Sequence, residues 1–103
     1  MSYDLKLSKQ SVIGEIRIFN TPTEVKISTE QLNTRHQINV RNLSSYYVWW
    51  CWNEADCTYG GKNTHLIRSG EGFTINLDRH NPLQIWCITK CSSGMSLDVI
   101  EVV

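Results

Sequence analysis

Cys51, Cys57, Cys87 and Cys91 have the widest chemical range of any residues in this chain, and they are spaced as Cys-x5-Cys and Cys-x3-Cys. Structural zinc sites use cysteine pairs about two to four residues apart, so only the second pair fits and no metal is expected. Two other states are open to the four. In an oxidising medium they would form disulfides, with three connectivities available. Local pairing, Cys51–Cys57 and Cys87–Cys91, would staple a loop and a turn, whereas crossed pairing would join two strands with Cys51 facing Cys87. In a reducing cytoplasm they would remain thiols and pack as small apolar residues.

Catalytic groupings are weak by comparison. A Cys57–His65 nucleophilic pair can be written down, but no local signature accompanies it, and His36, His65 and His80 each stand beside polar or turn residues. Glu54 and Asp56 read as a solvated acidic loop, because neither an EF-hand loop nor a glycine-rich phosphate cradle is present. No catalytic residue, cofactor or metal is assigned.

The most unusual run is Tyr46-Tyr47-Val48-Trp49-Trp50-Cys51-Trp52. On a strand, Trp50 and Trp52 point one way while Trp49 and Cys51 point the other. Large apolar groups therefore stand on both faces. Such a strand is either central and covered on both sides, or it offers Tyr47, Trp49, Trp50 and Trp52, with Trp86 farther on, as rings that anchor a protein partner or stack on a sugar.

These residues need strands to position them, and period-two alternation dominates the chain. Val12, Gly14, Ile16 and Ile18 alternate with polar or charged residues. So do Val25 and Ile27, then Ile38 and Val40, and most clearly Phe73, Ile75 and Leu77. Leu83, Ile85 and Cys87 share one face of a further segment, with Trp86 and Ile88 on the other. The last run alternates Leu97 and Val99 and then slips to Ile100 and Val102, which suggests a bulge or a strand buried on both faces. Turn formers such as Asn20-Thr21-Pro22, Ser69-Gly70-Glu71-Gly72, Asn81-Pro82 and Ser92-Ser93-Gly94 separate the runs. Ser28 to Gln37 has the composition for one helical turn. The expected fold is all-β: a single antiparallel β-sandwich or jelly-roll-like barrel of about seven or eight short strands, with residues 11–103 as the domain and 1–10 as an amino-terminal arm.

The 103 residues suffice for one modest core. Ten basic residues balance ten acidic ones, which argues against a nucleic-acid partner. No apolar run approaches the roughly 20 residues that span a bilayer, so no membrane partner is expected. The first ten residues lack the apolar stretch of an export signal, which points to synthesis in a cytoplasm and gives the sequon Asn42-Leu43-Ser44 little weight. Residues 1–50 carry a net +2 and residues 51–103 a net −2, a mild dipole able to orient docking.

From Ile38 onward the order of elements resembles small tailed-bacteriophage capsid decoration (cement) proteins and the β-sandwich tips of head fibres. The resemblance rests on Ile38-x-Val40-x-Asn42, the aromatic run Tyr47 to Trp52, Gly60-Gly61, the turn Leu66-Ile67-Arg68-Ser69-Gly70-Glu71 entering a strand, Ile85 to Ile88, Ser93-Gly94, and the terminal Leu97-x-Val99-Ile100-Glu101. It covers about two-thirds of the chain. It implies a non-enzymatic virion structural protein, made in the host cytoplasm, that binds the phage major capsid protein on the assembled capsid surface. Decoration proteins of this kind are commonly homotrimers that stabilise the shell. The aromatic strand would serve subunit contacts, and Lys6 and Lys9 would sit on a capsid-contacting arm. The competing function is a carbohydrate-binding β-sandwich module, on a phage fibre or lectin-like, with an exposed Trp/Tyr platform.

Overall fold

A computed structural model describes residues 11–27, 35–78 and 83–102. Among the described residues eight strands follow one another: β1 (Ser11–Ile18), β2 (Thr23–Glu24), β3 (Gln37–Arg41), β4 (Val48–Cys51), β5 (His65–Ile67), β6 (Gly72–Asn76), β7 (Trp86–Thr89) and β8 (Met95–Val102). A single 3-10 turn, Glu54–Asp56, interrupts the connection between β4 and β5. Among the described residues no helix is long and apolar enough to cross a membrane.

The strands form two four-stranded antiparallel sheets, ordered β1-β8-β3-β6 and β2-β7-β4-β5. The nested pairing of first with last, second with seventh, third with sixth and fourth with fifth is that of a long hairpin folded over on itself, a jelly roll. Two separate sheets facing each other replace the closed barrel, which confirms the expected all-β sandwich.

Alternation decides which side chains face inward. Ile18 of β1, Ile38 and Val40 of β3, and Met95, Leu97 and Val99 of β8 meet Val48 of β4, Ile67 of β5 and Cys87 of β7 in one core. Phe73 of β6 and Trp50 of β4 close it at one end, with their rings stacked at 4.5 Å and nearly parallel. Val25 and Ile85 are fully buried and share a backbone hydrogen bond of 2.7 Å. That bond continues the short β2–β7 pairing beyond Glu24. Leu83 departs from the expected inward face and is 42% exposed.

The last strand does not slip. Its register against β1 runs without interruption from Met95↔Ile18 to Val102↔Ser11. Met95, Leu97, Val99 and Glu101 point inward while Ile100 lies outside. A carboxylate in a core position needs a partner, and Arg35 supplies it. The two side chains are both fully buried and form an ion pair. Arg35 Nη1 also donates to Val25 O at 2.9 Å and Nη2 to Leu83 O at 3.2 Å, while Glu101 Oε1 accepts from Ile27 N at 3.3 Å. The pair ties three backbone segments to the final strand at one end of the sandwich. Of the expected helical turn, residues 28–34 lie outside the described residues; Arg35 and His36 are irregular and Gln37 opens β3.

Asn42, which follows β3, is fully buried at the other end. Its Nδ2 donates to Tyr46 O at 2.7 Å and to Ile67 O at 3.0 Å, and its Oδ1 accepts from Ser44 N and Ser44 Oγ. The asparagine of the sequon is thus a structural hub. Its amide nitrogen is committed to two carbonyls and is closed to glycosylation in the folded protein.

Candidate functional site

The expectation that the Trp-rich strand carries apolar groups on both faces holds, and each face has its own cover. On the inner side, Trp50 is stacked with Phe73, lies 4.6 Å from the His65 ring and meets Trp52 edge-on at 5.2 Å. Those contacts engage the Trp50 indole and remove it as a platform for a ligand. On the outer side, the β4–β5 loop folds back over the sheet. Its Cys57 packs with Cys51 and Ile88 into a second, smaller cluster flanked by Trp49 and Trp86. A five-residue apolar pocket of this kind is too small to fold alone and depends on the sheet beneath it.

Beyond this cluster the outer face becomes an exposed aromatic patch. Tyr46, Tyr47 and Tyr59 are exposed, and Trp49 is half-buried between them. Tyr47 meets Trp49 edge-on at 6.2 Å, and Tyr59 tilts against Trp49 at 5.6 Å. The Lys90 ammonium lies over both rings, 6.0 Å from Trp49 and 5.6 Å from Tyr59. The Tyr59 hydroxyl donates to Asn20 O at 3.1 Å and fixes the loop across the sheet. Trp49 therefore already spends ring surface on neighbours within the chain, which favours a protein-docking patch over an open sugar platform.

A second surface lies beside Trp50, where Trp52, Asn53 and Asp56 at the start of the β4–β5 loop face Lys62 and Asn63 at its end and His65 of β5. Trp52 is 37% exposed. Of the ring candidates drawn from the sequence, Tyr47 and Trp49 belong to the aromatic patch, Trp52 to this groove, Trp50 to the inter-sheet stack, and Trp86 to the outer cluster. Lys6 and Lys9 lie outside the described residues.

The four cysteines are buried thiols. Cys51 is paired in register with Trp86 and Cys87 with Trp50, so Cys51 faces outward and Cys87 faces the core. The crossed arrangement in which these two face each other is thereby corrected: their positions are one residue out of step across the sheet. Cys57 and His65 also lie on opposite sides of the sheet, and no nucleophilic pair forms. Among the described residues no group of three metal-ligating side chains comes together.

The thiols differ in acidity. Burial, with the neighbouring Cys51 thiol and Glu54 adding to it, pushes Cys57 up to about 12. Burial also drives Cys87 well above the ordinary thiol value. Cys91 moves the other way. The Ser93 hydroxyl lowers it most, burial opposes, and the Tyr46 hydroxyl and the Gly94 and Ser93 backbone assist. Its Sγ is 3.4 Å from Ser93 Oγ and 3.4 Å from Gly94 O. Because the thiolate is the reactive form, iodoacetamide at about pH 8 is expected to modify Cys91 ahead of Cys57 and Cys87 in the folded protein. Ser93→Ala should raise the Cys91 thiol and slow its labelling, as followed by peptide mass spectrometry. Raising the pH should bring Cys57 into reaction only as the pH nears its raised value, or on unfolding. Equal labelling of all four residues would contradict this order.

Sequence reasoning missed the Arg35–Glu101 pair and the Asn42 hub. The signal for the first was present, because Glu101 continues the inward parity of Met95, Leu97 and Val99. Comparison with models of known protein families, with curated proteins and with solved structures finds no match to this chain.

Proposed function

We propose that this protein is a non-enzymatic decoration protein of a tailed-bacteriophage virion. In this reading it binds the major capsid protein on the outer surface of the assembled shell as a homotrimer and stabilises that shell. The observation that carries the docking role is the aromatic patch of Tyr46, Tyr47, Trp49 and Tyr59 under the Lys90 ammonium. Exposed Tyr and Trp side chains are the residues enriched as protein-interface anchors, since each buries a large area at small entropic cost. The virion setting comes from the resemblance carried by Ile38 to Glu101.

A ligand that binds only the assembled shell stabilises it by mass action, and three linked copies turn a weak single contact into avidity. The jelly roll suits that task. Its strands are short, its core is closed by Trp50 and Phe73, and the aromatic patch is pinned by the Tyr59–Asn20 hydrogen bond before any partner arrives.

Light scattering should give three times the chain mass of 11.9 kDa at micromolar concentration. The protein should cosediment with assembled shells of the phage whose genome encodes it and not with unassembled capsid subunits. Tyr47→Glu and Lys90→Glu alter exposed side chains and should abolish cosedimentation while leaving the circular dichroism spectrum unchanged. Full retention of shell binding in both variants, or no binding by the unaltered protein, would refute the reading.

A further inference from the structure

We propose that the groove between the two arms of the β4–β5 loop, Trp52-Asn53-Asp56 on one side and Lys62-Asn63-His65 on the other, binds a hexopyranose residue of a glycan. The surface is distinct from the aromatic patch and does not depend on the proposed decoration role. It combines one exposed indole with a carboxylate, two amides and an ammonium from the β4–β5 loop and an imidazole from the first residue of β5.

That combination matches the chemistry of a sugar ring. A pyranose presents an apolar patch of C–H groups on a ring face and a rim of hydroxyls, each of which donates and accepts. Trp52 offers the apolar surface. Asp56 accepts only, Lys62 donates only, and Asn53 and Asn63 do both, so every hydroxyl role finds a counterpart. Opposed charges of Asp56 and Lys62 leave the groove close to neutral, which disfavours a phosphate or an acidic peptide. A metal ion would find only Asp56 and His65 as ligands of ordinary strength, too few for a site.

The groove is also built before a ligand enters. Asp56 N bonds Asn53 O at 3.1 Å, Cys57 N bonds Glu54 O at 3.1 Å, and Thr64 closes the other arm through both its N–H and its hydroxyl to Gly61 O. Cys57 anchors the loop in the outer cluster, and Trp50 braces Trp52 and His65 from below. Preorganisation of this kind lowers the ordering cost that otherwise consumes the affinity of a small polar ligand. Trp52, Asp56, Lys62 and the amide side chains are the parts a sugar would touch. His65 and Trp50 position them.

The test is a titration of the full chain with methyl glycosides of glucose, galactose, mannose and N-acetylglucosamine, read by amide and indole N–H shifts in NMR. At least one should bind with a Kd on the order of 1 mM, with shifts centred on Trp52, Asn53, Asn63 and His65. Trp52→Ala should weaken binding at least tenfold. Because it also removes a contact to Trp50, the exposed change Asn63→Ala is the second variant and should weaken binding several-fold with the spectrum otherwise intact. Tyr47→Glu should bind the sugar normally, which separates this site from the shell-docking patch. Absence of shifts with all four glycosides up to high millimolar concentration would overturn the proposal. So would shifts centred on Tyr47 and Trp49, or undiminished binding by both groove variants.

Discussion

Glu101→Val is expected to destabilise the protein by about 3–5 kcal/mol, because it strands the Arg35 guanidinium, uncompensated, in the core. At roughly 4–8 °C per kcal/mol for a domain of this size, the midpoint of thermal unfolding should fall by more than about 10 °C. Both side chains of the native pair are fully buried. Water therefore neither screens the native pair nor solvates the charge left behind. The remaining Arg35 donors to Val25 O and Leu83 O satisfy hydrogen bonds but do not neutralise a cation. Valine fits the inward parity of β8 and lies opposite Val12 and Ile38 in register, so packing is not the main loss. The double variant Arg35→Leu/Glu101→Val removes both charges together and should recover more than half of the deficit, as buried pairs replaced by apolar residues commonly do. Urea unfolding of the four proteins of this cycle measures the coupling. A single-variant loss below about 1 kcal/mol would show that the charge is solvated after all.

Asn42→Ala is the second large effect, at roughly 3 kcal/mol, since it orphans several buried and part-buried polar groups at once. The amide nitrogen serves Tyr46 O and Ile67 O, and the amide oxygen serves two donors of Ser44. These partners belong to the exit of β3, the entry of β4 and the end of β5. The backbone of Asn42 adds two further bonds, accepting from Gly70 N at 2.7 Å and donating to Glu71 O at 2.8 Å, and these survive the substitution. Asn42→Asp keeps the shape and the acceptor but turns an oxygen toward two carbonyls. It should be at least as damaging as alanine near neutral pH and should improve on acidification, when the carboxyl regains a proton to donate. Equal stability of Asn42→Asp and the native protein at neutral pH would dismiss the hub. Hydrogen exchange should show the loss concentrated where β3, β4 and β5 meet, because the other end of the sandwich has its own clamp in Arg35 and Glu101.

Shell binding through Tyr47 and Lys90 and sugar binding at Trp52 probe surfaces, whereas chemical labelling at Cys91 probes a buried thiol of the core. Their expected effects are smaller in stability and larger in selectivity. These sites owe their geometry to the β3–β4, β4–β5 and β7–β8 connections, which alternation does not describe. Gly94 shows why. Its φ of 90° suits glycine in the turn before β8, and a Cβ there would lie 2.6 Å from the Phe19 ring. The turn formers Ser93-Gly94 were legible; the ring that seals the turn comes from a residue far away in sequence.

Alternation by itself determined the strands, because a half-buried strand must repeat its apolar residues every second position. It marked Ile38, Val40, Phe73, Ile75, Leu97 and Val99 as core residues and the chain as an all-β sandwich. It also predicted that Trp50 and Trp49 point to opposite faces, a matter of local backbone geometry alone. Only the tertiary structure decided what each face meets. Phe73 arrives under Trp50 from the other sheet, Cys57 returns over Cys51 from a loop, and Arg35 reaches Glu101 across most of the chain. The apparent slip at Ile100 and Val102 shows the difference most plainly. Hydropathy favours isoleucine over glutamate for the inward position, yet the register held by β1 and β3 along the whole of β8 outweighs it. Slipping one residue would turn Leu97 and Val99 out to solvent, and a buried arginine makes it possible for the carboxylate to take the core position instead.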